Sequence, residues 1–185
     1  MTTVSHTVQD LSTRLREAIR DIPDYPKPGI LFKDITTALR QPQLFADIVE
    51  ALYQQAKEAN IQYVAGIESR GFILGSPLAY RLGAGFIPIR KRGKLPGQTA
   101  QYEYQLEYGT DCVEIHVDAI EPGARVLLVD DLLATGGTAA AASHLIGQVG
   151  GRLVGALFMV DLAFLNGRSQ LPPLDLLEAL VTYTD

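Results

Sequence analysis

Cysteine and histidine are both scarce in this sequence. Cys112 is the single cysteine among 185 residues, so an intramolecular disulfide is excluded and a reducing compartment is expected. Neither a histidine nor a glycine-rich turn adjoins it, so we interpret Cys112 as a strand residue and not as a nucleophile. The three histidines, His6, His116 and His144, lack the spacing of metal ligands. We therefore expect no metal site built from protein side chains.

Basic charge and long apolar runs are also lacking. The net charge is -5, which argues against non-specific binding to nucleic acid. The most apolar late segment, 153–165, is interrupted by Asp161 and is much shorter than the roughly 20 residues of a membrane helix. The first twenty residues are polar and charged, unlike a signal peptide. These features predict a cytoplasmic protein whose partners include neither membrane nor nucleic acid.

Two common phosphate-binding motifs are absent as well. The sequence contains no G-x-x-x-x-G-K-[ST] segment, which excludes a P-loop. It also contains no G-x-G-x-x-G fingerprint, because Gly83-Ala84-Gly85 comes closest and lacks the third glycine. A phosphorylated ligand would therefore need a different turn.

Apolar periodicity predicts an α/β domain. Apolar residues three or four apart predict helices, and short apolar runs predict strands. Because the two alternate, we expect a mainly parallel central sheet flanked by helices, in a single domain over residues 1–185. The predicted helices are 11–22, 44–59, 72–82 and 139–149, and the predicted strands are 62–67, 85–90, 113–117, 126–129 and 153–160.

Residues 126–138, which read V-L-L-V-D-D-L-L-A-T-G-G-T, are the most informative segment. An apolar strand ends in the adjacent carboxylates Asp130 and Asp131, and an alanine-rich helix follows. The turn between them consists of Ala134, Thr135, Gly136, Gly137 and Thr138. Backbone N–H groups at a helix N-terminus bind phosphate, and paired carboxylates can accept hydrogen bonds from two neighbouring sugar hydroxyls. We interpret the segment as a site for a phosphorylated sugar.

Two other charged turns follow predicted strands. Residues 68–71 read E-S-R-G, and here Glu68, Ser69 and Arg70 precede a helix, as in an anion-binding turn. Residues 90–94 read R-K-R-G-K, and we interpret this basic cluster, with Arg90, Lys91 and Lys94, as a mobile anion clamp. Ligands of parallel sheets collect at the carboxyl ends of the strands. We therefore expect 68–71, 90–94 and 130–138 to form one site.

Residues 97–109 alternate aromatic and polar side chains, which predicts a strand or hairpin. One interpretation is an edge strand that covers the core. The other is a lid that closes over the site, excludes water and contributes a carboxylate. The alternation itself does not choose between them.

In residues 126–138 the sequence resembles the 5-phosphoribosyl-1-pyrophosphate (PRPP) signature of type I phosphoribosyltransferases. Three further segments resemble the adenine-specific members of that family: 25–34 (Y-P-K-P-G-I-L-F-K-D), 89–96 (I-R-K-R-G-K-L-P) and 106–115 (L-E-Y-G-T-D-C-V-E-I). The resemblance covers most of the chain between about residues 20 and 165. It implies the type I phosphoribosyltransferase fold, with a small base-closing hood within residues 1–35 and a flexible lid at about 91–112.

The resemblance also implies roles for individual residues around PRPP. Asp130 and Asp131 are expected to face the ribose hydroxyls, while residues 134–138 wrap the 5′-phosphate. Residues 68–71 match the pyrophosphate loop. Arg70, Asp131 and Glu107 are the expected catalytic residues, with Glu107 as the lid carboxylate that assists proton transfer on the purine and Tyr108 packed beside it.

Residues 30–33 resemble the part of the family fold that closes over the base. Backbone groups of Leu31 are expected to read the adenine edge, and Phe32 or Lys33 to contact its face. Many relatives have arginine where this chain has Lys33, and lysine cannot reproduce a planar bidentate contact.

The implied activity is purine salvage, in which adenine and PRPP give AMP and pyrophosphate. The resemblance further implies a homodimer and Mg²⁺ carried by the pyrophosphate of PRPP. Two alternatives remain open. The base could instead be xanthine, hypoxanthine or orotate, or the chain could be a PRPP-sensing regulator that binds nucleic acid. Such a regulator should carry a helix-turn-helix or a broad basic face, and the sequence indicates neither.

Overall fold

The computed structural model describes residues 5–105 and 109–185, which fall into two compact units. The first unit is Met1–Ala51 and the second is Leu52–Asp185. The single domain over residues 1–185 therefore stays a prediction.

The first unit consists of short elements around a small antiparallel sheet. Its elements are α1 (Ser5–Ala18), β1 (Arg20–Ile22), β2 (Phe32–Asp34), α2 (Thr36–Leu39) and α3 (Pro42–Ala56), the last of which contains the boundary between the units. The prediction of a helix over 11–22 is wrong at its end, because Arg20–Ile22 pairs with β2 as a strand. Arg20 lies opposite Asp34 and Asp21 lies opposite Lys33, so two cross-strand charge pairs override the helical spacing.

The second unit is built on one large sheet. Its elements are β3 (Tyr63–Ile67), α4 (Gly71–Leu82), β4 (Gly85–Lys91), β5 (Thr99–Gln105), β6 (Thr110–His116), β7 (Arg125–Leu133), α5 (Gly137–Gln148), β8 (Arg152–Leu162) and β9 (Leu176–Tyr183). In the described residues the strand order is β5-β6-β4-β3-β7-β8-β9. The pairs β4–β3, β3–β7, β7–β8 and β8–β9 are parallel. The predicted mainly parallel α/β fold is confirmed.

The core lies where the central strands meet the helices. The apolar run 126–129 of β7 is fully buried, as expected for a parallel strand covered on both faces. On α5, alanines and two larger side chains form the buried stripe, and the small alanines let the helix pack closely. This packing fixes the beginning of α5 beside the end of β7.

Several elements differ from the sequence expectations. Strand β7 continues to Leu133, so Asp130 and Asp131 lie within the strand and not after it. Helix α5 begins at Gly137, so the predicted phosphate turn overlaps the first helical turn. Strand β6 joins the sheet antiparallel to β4, and β9 was not predicted at all.

The alternating segment 97–109 is a strand over Thr99–Gln105, which confirms the period-two prediction there. This strand, β5, pairs with β6 at the edge of the sheet. Residues 106–108 are outside the described part of the chain, so the lid interpretation stays a prediction. Within the described residues, no helix combines the length and hydropathy that a membrane span requires.

Candidate active site

A cavity of about 430 Å³ opens at the carboxyl ends of β3, β4 and β7. The chain leaves β3 through α4 to β4 on one side, while β7 pairs with β3 on the other side. Such a point is where open α/β sheets bind ligands. The lining residues are Ile67, Glu68, Ser69, Arg70, Lys91, Tyr104, Asp111, Val113, Asp130, Asp131, Leu132, Leu133, Ala134, Thr135, Gly136, Gly137, Thr138 and Ala139.

The predicted site residues of β3 and β7 are thus brought together, but the basic cluster is divided. Lys91 lines the cavity, whereas Arg90 and Lys94 do not. Arg90 donates from Nε to Glu68 Oε2 at 3.0 Å and from Nη1 to the Lys94 carbonyl at 3.1 Å. The expectation that residues 90–94 form one site with 68–71 and 130–138 therefore stays a prediction for Arg90 and Lys94, although Arg90 contacts Glu68 of the cavity lining.

Asp130 and Asp131 form the acidic wall of the cavity. The Asp130 carboxylate accepts a hydrogen bond from the Asp131 backbone N–H at 2.8 Å. Burial, followed by the adjacent Asp131 charge, raises the pKa of Asp130 well above its usual value. Asp131 is buried, with Oδ2 at 3.0 Å from Arg70 Nε. The pair can therefore present one carboxylate held by a cation and one that retains a proton more readily.

The turn 134–138 leads directly into α5. Gly136 is the residue before the helix and has φ +85°, a conformation that favours glycine. The first N–H groups of a helix have no partner within the helix, so the turn is suited to bind an anion. The hydroxyl of Thr138 donates to the Tyr104 hydroxyl at 3.0 Å.

A glycine of the segment 163–170 supports this turn from outside the cavity. A Cβ on Gly136 would overlap the Gly167 carbonyl, and a Cβ on Gly167 would overlap the Ala134 carbonyl. The neighbouring Arg168 donates from Nε to the buried Asp161 at 2.7 Å and from Nη1 to the Leu177 carbonyl at 2.9 Å. The supporting segment is thus tied to β8 and β9. Sequence reasoning missed this supporting segment, because its only local signal was the Gly167-Arg168 pair after a loop.

The turn 68–71 joins β3 to α4. Its Glu68–Ser69 peptide bond is cis. Glu68 Oε2 accepts from the Lys91 backbone N–H at 3.0 Å as well as from Arg90, so this carboxylate holds the end of β4. Arg70 forms an ion pair with Asp131, and both residues line the cavity. The turn after β3 is therefore linked to the carboxylate of β7.

Tyr104 and Asp111 are site residues that sequence reasoning missed. They lie opposite each other in the β5–β6 pair, and both line the cavity. Lys91 Nζ lies 3.0 Å from Asp111 Oδ2. The period-two pattern could have placed Tyr102 and Tyr104 on one face, and Tyr102 does contact His144 of α5, with ring centroids 4.2 Å apart.

Some predicted residues are not part of the described cavity. Glu107 and Tyr108 are outside the described residues. Leu31, Phe32 and Lys33 belong to the first unit, where Leu31 is exposed and Phe32 meets Tyr25 edge-to-face at 5.1 Å. Lys33 is buried and donates from Nζ to Asp21 at 2.7 Å, so its ammonium stabilises the β1–β2 pair.

Candidate metal ligands and the single cysteine were also located in the described residues. The described residues contain no group of three or more His, Cys, Asp and Glu side chains that could hold a metal ion. Cys112 is a buried residue of β6, and burial raises the pKa of its thiol. The interpretation of Cys112 as a strand residue is confirmed.

Comparison with known proteins shows the family of this chain. The sequence pattern of the phosphoribosyl transferase domain matches residues 35–173, more than half of the chain. An adenine phosphoribosyltransferase from Nostoc punctiforme is 57% identical over 171 residues, which cover 91% of this chain and 99% of the relative. The chain belongs to the adenine phosphoribosyltransferase family.

Solved structures of the family share the fold. The adenine phosphoribosyltransferase of Rhodothermus marinus matches with a TM-score of 0.90 and 51% identity, over 95% of this chain and 99% of the other. The enzyme of Saccharomyces cerevisiae, crystallised with an imino-altritol bisphosphate and adenine, matches with a TM-score of 0.88 and 41% identity, over 93% of this chain and 99% of the other. The type I fold expected from the resemblance is therefore confirmed.

Proposed function

We propose that the protein transfers the 5-phosphoribosyl group of PRPP to adenine, giving AMP and pyrophosphate in purine salvage. The observation that carries this proposal is the cavity at β3, β4 and β7, where a helix-terminal phosphate turn, paired carboxylates and two cations converge. A phosphorylated ribose with an anionic leaving group needs these three kinds of partner. The adenine-specific relatives supply the identity of the base.

The phosphate turn and the paired acids would hold the two ends of the ribose. The backbone N–H groups of residues 134–138 and the Thr138 hydroxyl would bind the 5′-phosphate, since all lie at the start of α5. Asp130 and Asp131 would accept hydrogen bonds from the ribose hydroxyls. Holding the ribose at both ends converts binding free energy into orientation at C1′.

The cations of the cavity would stabilise the departing pyrophosphate. As the bond from C1′ to pyrophosphate lengthens, positive charge develops on the ribose and negative charge on the leaving group. Arg70 and Lys91 line the cavity and carry compensating positive charge. Ser69, which also lines the cavity, would contribute as part of the anion-binding turn 68–71. Adenine N9 then attacks C1′. Arg90 and Lys94, which do not line the described cavity, would contribute through the loop that they share with Lys91.

Mg²⁺ bound to the pyrophosphate of PRPP fits the charges of this cavity. Four acidic side chains, Glu68, Asp111, Asp130 and Asp131, face two basic ones, Arg70 and Lys91, so the lining has an excess of negative charge. A polyphosphate ligand would be repelled unless a cation accompanied it. The described residues offer no metal cage, so water and substrate oxygens would complete the coordination. When bound, the ion would neutralise part of the pyrophosphate charge.

The hood and the lid would recognise the base. Tyr25, Ile30 and Leu31 are exposed apolar side chains in the segment that resembles the base-closing part of the family. Leu31 backbone groups would read the adenine edge and Phe32 would contact its face, while Lys33 acts through its pair with Asp21. Glu107 would accept or relay the purine proton, with Tyr108 beside it.

We further propose a cytoplasmic homodimer. On α4, Ile73 and Tyr80 are exposed and lie seven residues apart, so they share one face of the helix. An exposed apolar helix face is typical of a subunit contact. Light scattering coupled to size-exclusion chromatography should give twice the mass of one chain, and a single-chain mass would contradict the dimer.

The decisive experiment is AMP formation from adenine, PRPP and Mg²⁺, beside reactions with hypoxanthine, guanine, xanthine and orotate. Rapid turnover of adenine alone is the expected result. Turnover of another base would keep the site chemistry and overturn the assignment of residues 25–34. Tight PRPP binding without turnover of any base would instead favour a PRPP sensor.

A further inference from the structure

Asp111 occupies an unusual place among the acidic residues of the cavity. Its Oδ2 lies 3.0 Å from Lys91 Nζ, and its Oδ1 accepts from the Cys112 backbone N–H at 2.8 Å. Burial would raise the pKa of Asp111, but its interactions with Lys91, the Cys112 N–H and Tyr104 together lower it. Asp111 is therefore the carboxylate partner of a strand-end lysine and lies opposite an edge-strand tyrosine.

Strand register produces this arrangement. Tyr104 lies directly opposite Asp111 in the β5–β6 pair. Lys91 lies opposite Val113 in the β4–β6 pair, which makes Asp111 its diagonal neighbour, a position that long side chains reach. The Tyr104 ring also covers the helix start, with Cδ2 3.3 Å from where a Cβ on Gly137 would lie.

A row of neighbouring side chains connects the two anion-binding parts of the cavity. Thr138 donates to Tyr104, Tyr104 lies opposite Asp111 in the strand pair, and Lys91 forms an ion pair with Asp111 from the other side. Thr138 belongs to the phosphate turn, and Lys91 faces the region assigned to the leaving group. Asp111 thus pairs with a cation that an anionic substrate would also need.

We propose that Asp111 is a positioning residue that holds Lys91 by an ion pair and releases it to pyrophosphate, so that bound pyrophosphate and Asp111 compete for the same ammonium group. This inference rests on the proposed function for the identity of the anion. Competition weakens pyrophosphate binding and shortens its residence. Asp111 therefore favours release of the product rather than its formation.

The charge of the cavity sets the sign of the expected effect. Replacing Asp111 with asparagine leaves Lys91 without its carboxylate partner and removes one of four acidic side chains from the lining. Both changes strengthen the attraction for an anion. A residue with a merely structural role would have the opposite effect, since its loss would disorder the site and weaken binding.

The test is calorimetric titration of the full chain with magnesium pyrophosphate, comparing wild type, Asp111→Asn and Asp118→Asn. Asp118 is exposed and lies outside the cavity, so it provides the matched charge control. Asp111→Asn should bind pyrophosphate roughly fivefold more tightly, the scale of a partly exposed ion pair, while Asp118→Asn stays within twofold. Unchanged or weaker binding by Asp111→Asn would overturn the proposal.

A double-mutant cycle with Lys91→Gln tests whether the effect acts through Lys91. In the Lys91→Gln background, Asp111→Asn should improve pyrophosphate binding by less than twofold. An equal improvement in both backgrounds would overturn the positioning role and leave only a general charge effect. Melting temperatures identify any variant that is unfolded. If Asp111→Asn is unfolded, Asp111→Glu serves in its place: it keeps the charge and should bind pyrophosphate with wild-type affinity.

These measurements separate the inference from the proposed function. Pyrophosphate affinity is measured without adenine, so tighter binding by Asp111→Asn supports the positioning role even if no AMP is formed. Normal AMP formation together with weaker pyrophosphate binding would instead keep the proposed function and reject the role of Asp111.

Discussion

At the residue scale, two adjacent carboxylates of one strand have different surroundings. Asp131 lies against the Arg70 guanidinium, whereas burial raises the pKa of Asp130. Two like charges this close cannot both be ionised without a cost, and the unequal environments allow one to keep a proton. The ribose would thus meet one strong acceptor and one group able to donate or accept.

Asp131→Asn should lower kcat/KM for PRPP by roughly a hundredfold. A neutral amide cannot replace the negative charge that pairs with Arg70 and with the positive charge that develops on the ribose. Stability should stay the same or rise, since the change relieves repulsion with Asp130. Steady-state kinetics and urea unfolding measure the two quantities. Near wild-type turnover would reject the assignment of Asp131.

Gly167→Ala should weaken ribose 5-phosphate binding by roughly tenfold or more, because a Cβ there meets the Ala134 carbonyl of the phosphate turn. The matched control is Gly147→Ala on α5, where nothing lies within 4 Å of the added atom. That variant should bind normally and be more stable by about 0.5–1 kcal/mol. Equal ligand affinity in both variants would mean that Gly167 does not support the turn.

At the element scale, buried carboxylates hold the short segments in place. Asp34 accepts from the Thr36 hydroxyl at 2.6 Å, from the Thr36 N–H at 2.9 Å and from Arg20 at 2.6 Å. It thereby connects β2, the start of α2 and β1. The Thr36 hydrogen bond, followed by Arg20, lowers the pKa of Asp34 from 3.8 to about 2.

Asp34 should therefore make stability depend on pH in the acid range. Its pKa is lower in the folded state, so its contribution is complete above about pH 4 and is lost as the pH falls towards 2. Asp34→Asn should cost about 1–2 kcal/mol at pH 7 and flatten the acid limb of unfolding. Asp175→Asn, at an exposed position, is the control. A wild-type acid limb in Asp34→Asn would contradict the prediction.

Glu114 plays a comparable part for the loop after β4. It is 1% exposed, and its Oε1 accepts the N–H groups of Lys94 and Leu95, each at 2.8 Å. Its Oε2 accepts from Thr99 at 3.3 Å and from Gln101 at 3.2 Å. Burial alone would raise the pKa of Glu114, but the backbone N–H groups of this loop together lower it.

Glu114→Gln should loosen the loop that carries Lys94, because a neutral amide oxygen accepts the Lys94 and Leu95 N–H groups more weakly than the carboxylate does. Hydrogen exchange of the Lys94 and Leu95 amides should quicken by roughly tenfold, the scale of one lost hydrogen bond. Glu178→Gln, on the exposed side of β9, should leave these amides unchanged. Unaltered exchange in Glu114→Gln would show that the loop does not depend on the carboxylate.

At the scale of the whole molecule, an acidic protein is expected to bind a highly anionic substrate. The net charge of -5 opposes this, so the local cations and the helix N-terminus must act at short range. Binding should then stabilise the fold by mass action. AMP at a hundred times its Kd should add about 2.7 kcal/mol, and so raise the Tm by roughly 5–10 °C.

That thermal shift should disappear in Asp131→Asn at the same AMP concentration, and it should persist in the exposed Asp118→Asn control. Differential scanning calorimetry measures both. A full AMP shift in Asp131→Asn would place the nucleotide away from the paired acids.

Long buried segments were predictable because each has a strong local pattern. The apolar run of β7 and the alanine-rich start of α5 specify strand and helix regardless of their neighbours. Strands β1 and β2 were not predictable, because a segment of three residues is too short to carry a pattern and these strands depend on their pairing with each other. Arg20–Ile22 accordingly followed the preceding helix in the sequence prediction.

The sequence by itself determined which ligand chemistry to expect: the strand, paired acids, glycine turn and helix of residues 126–138 are contiguous, so local order alone predicts a site for a phosphorylated sugar. Only the tertiary structure decided which other residues join them. Tyr104, Asp111 and Lys91 meet through antiparallel register, and Gly167 meets Ala134 through packing between distant segments. Register and packing are set by the whole chain, so no local pattern could reveal them.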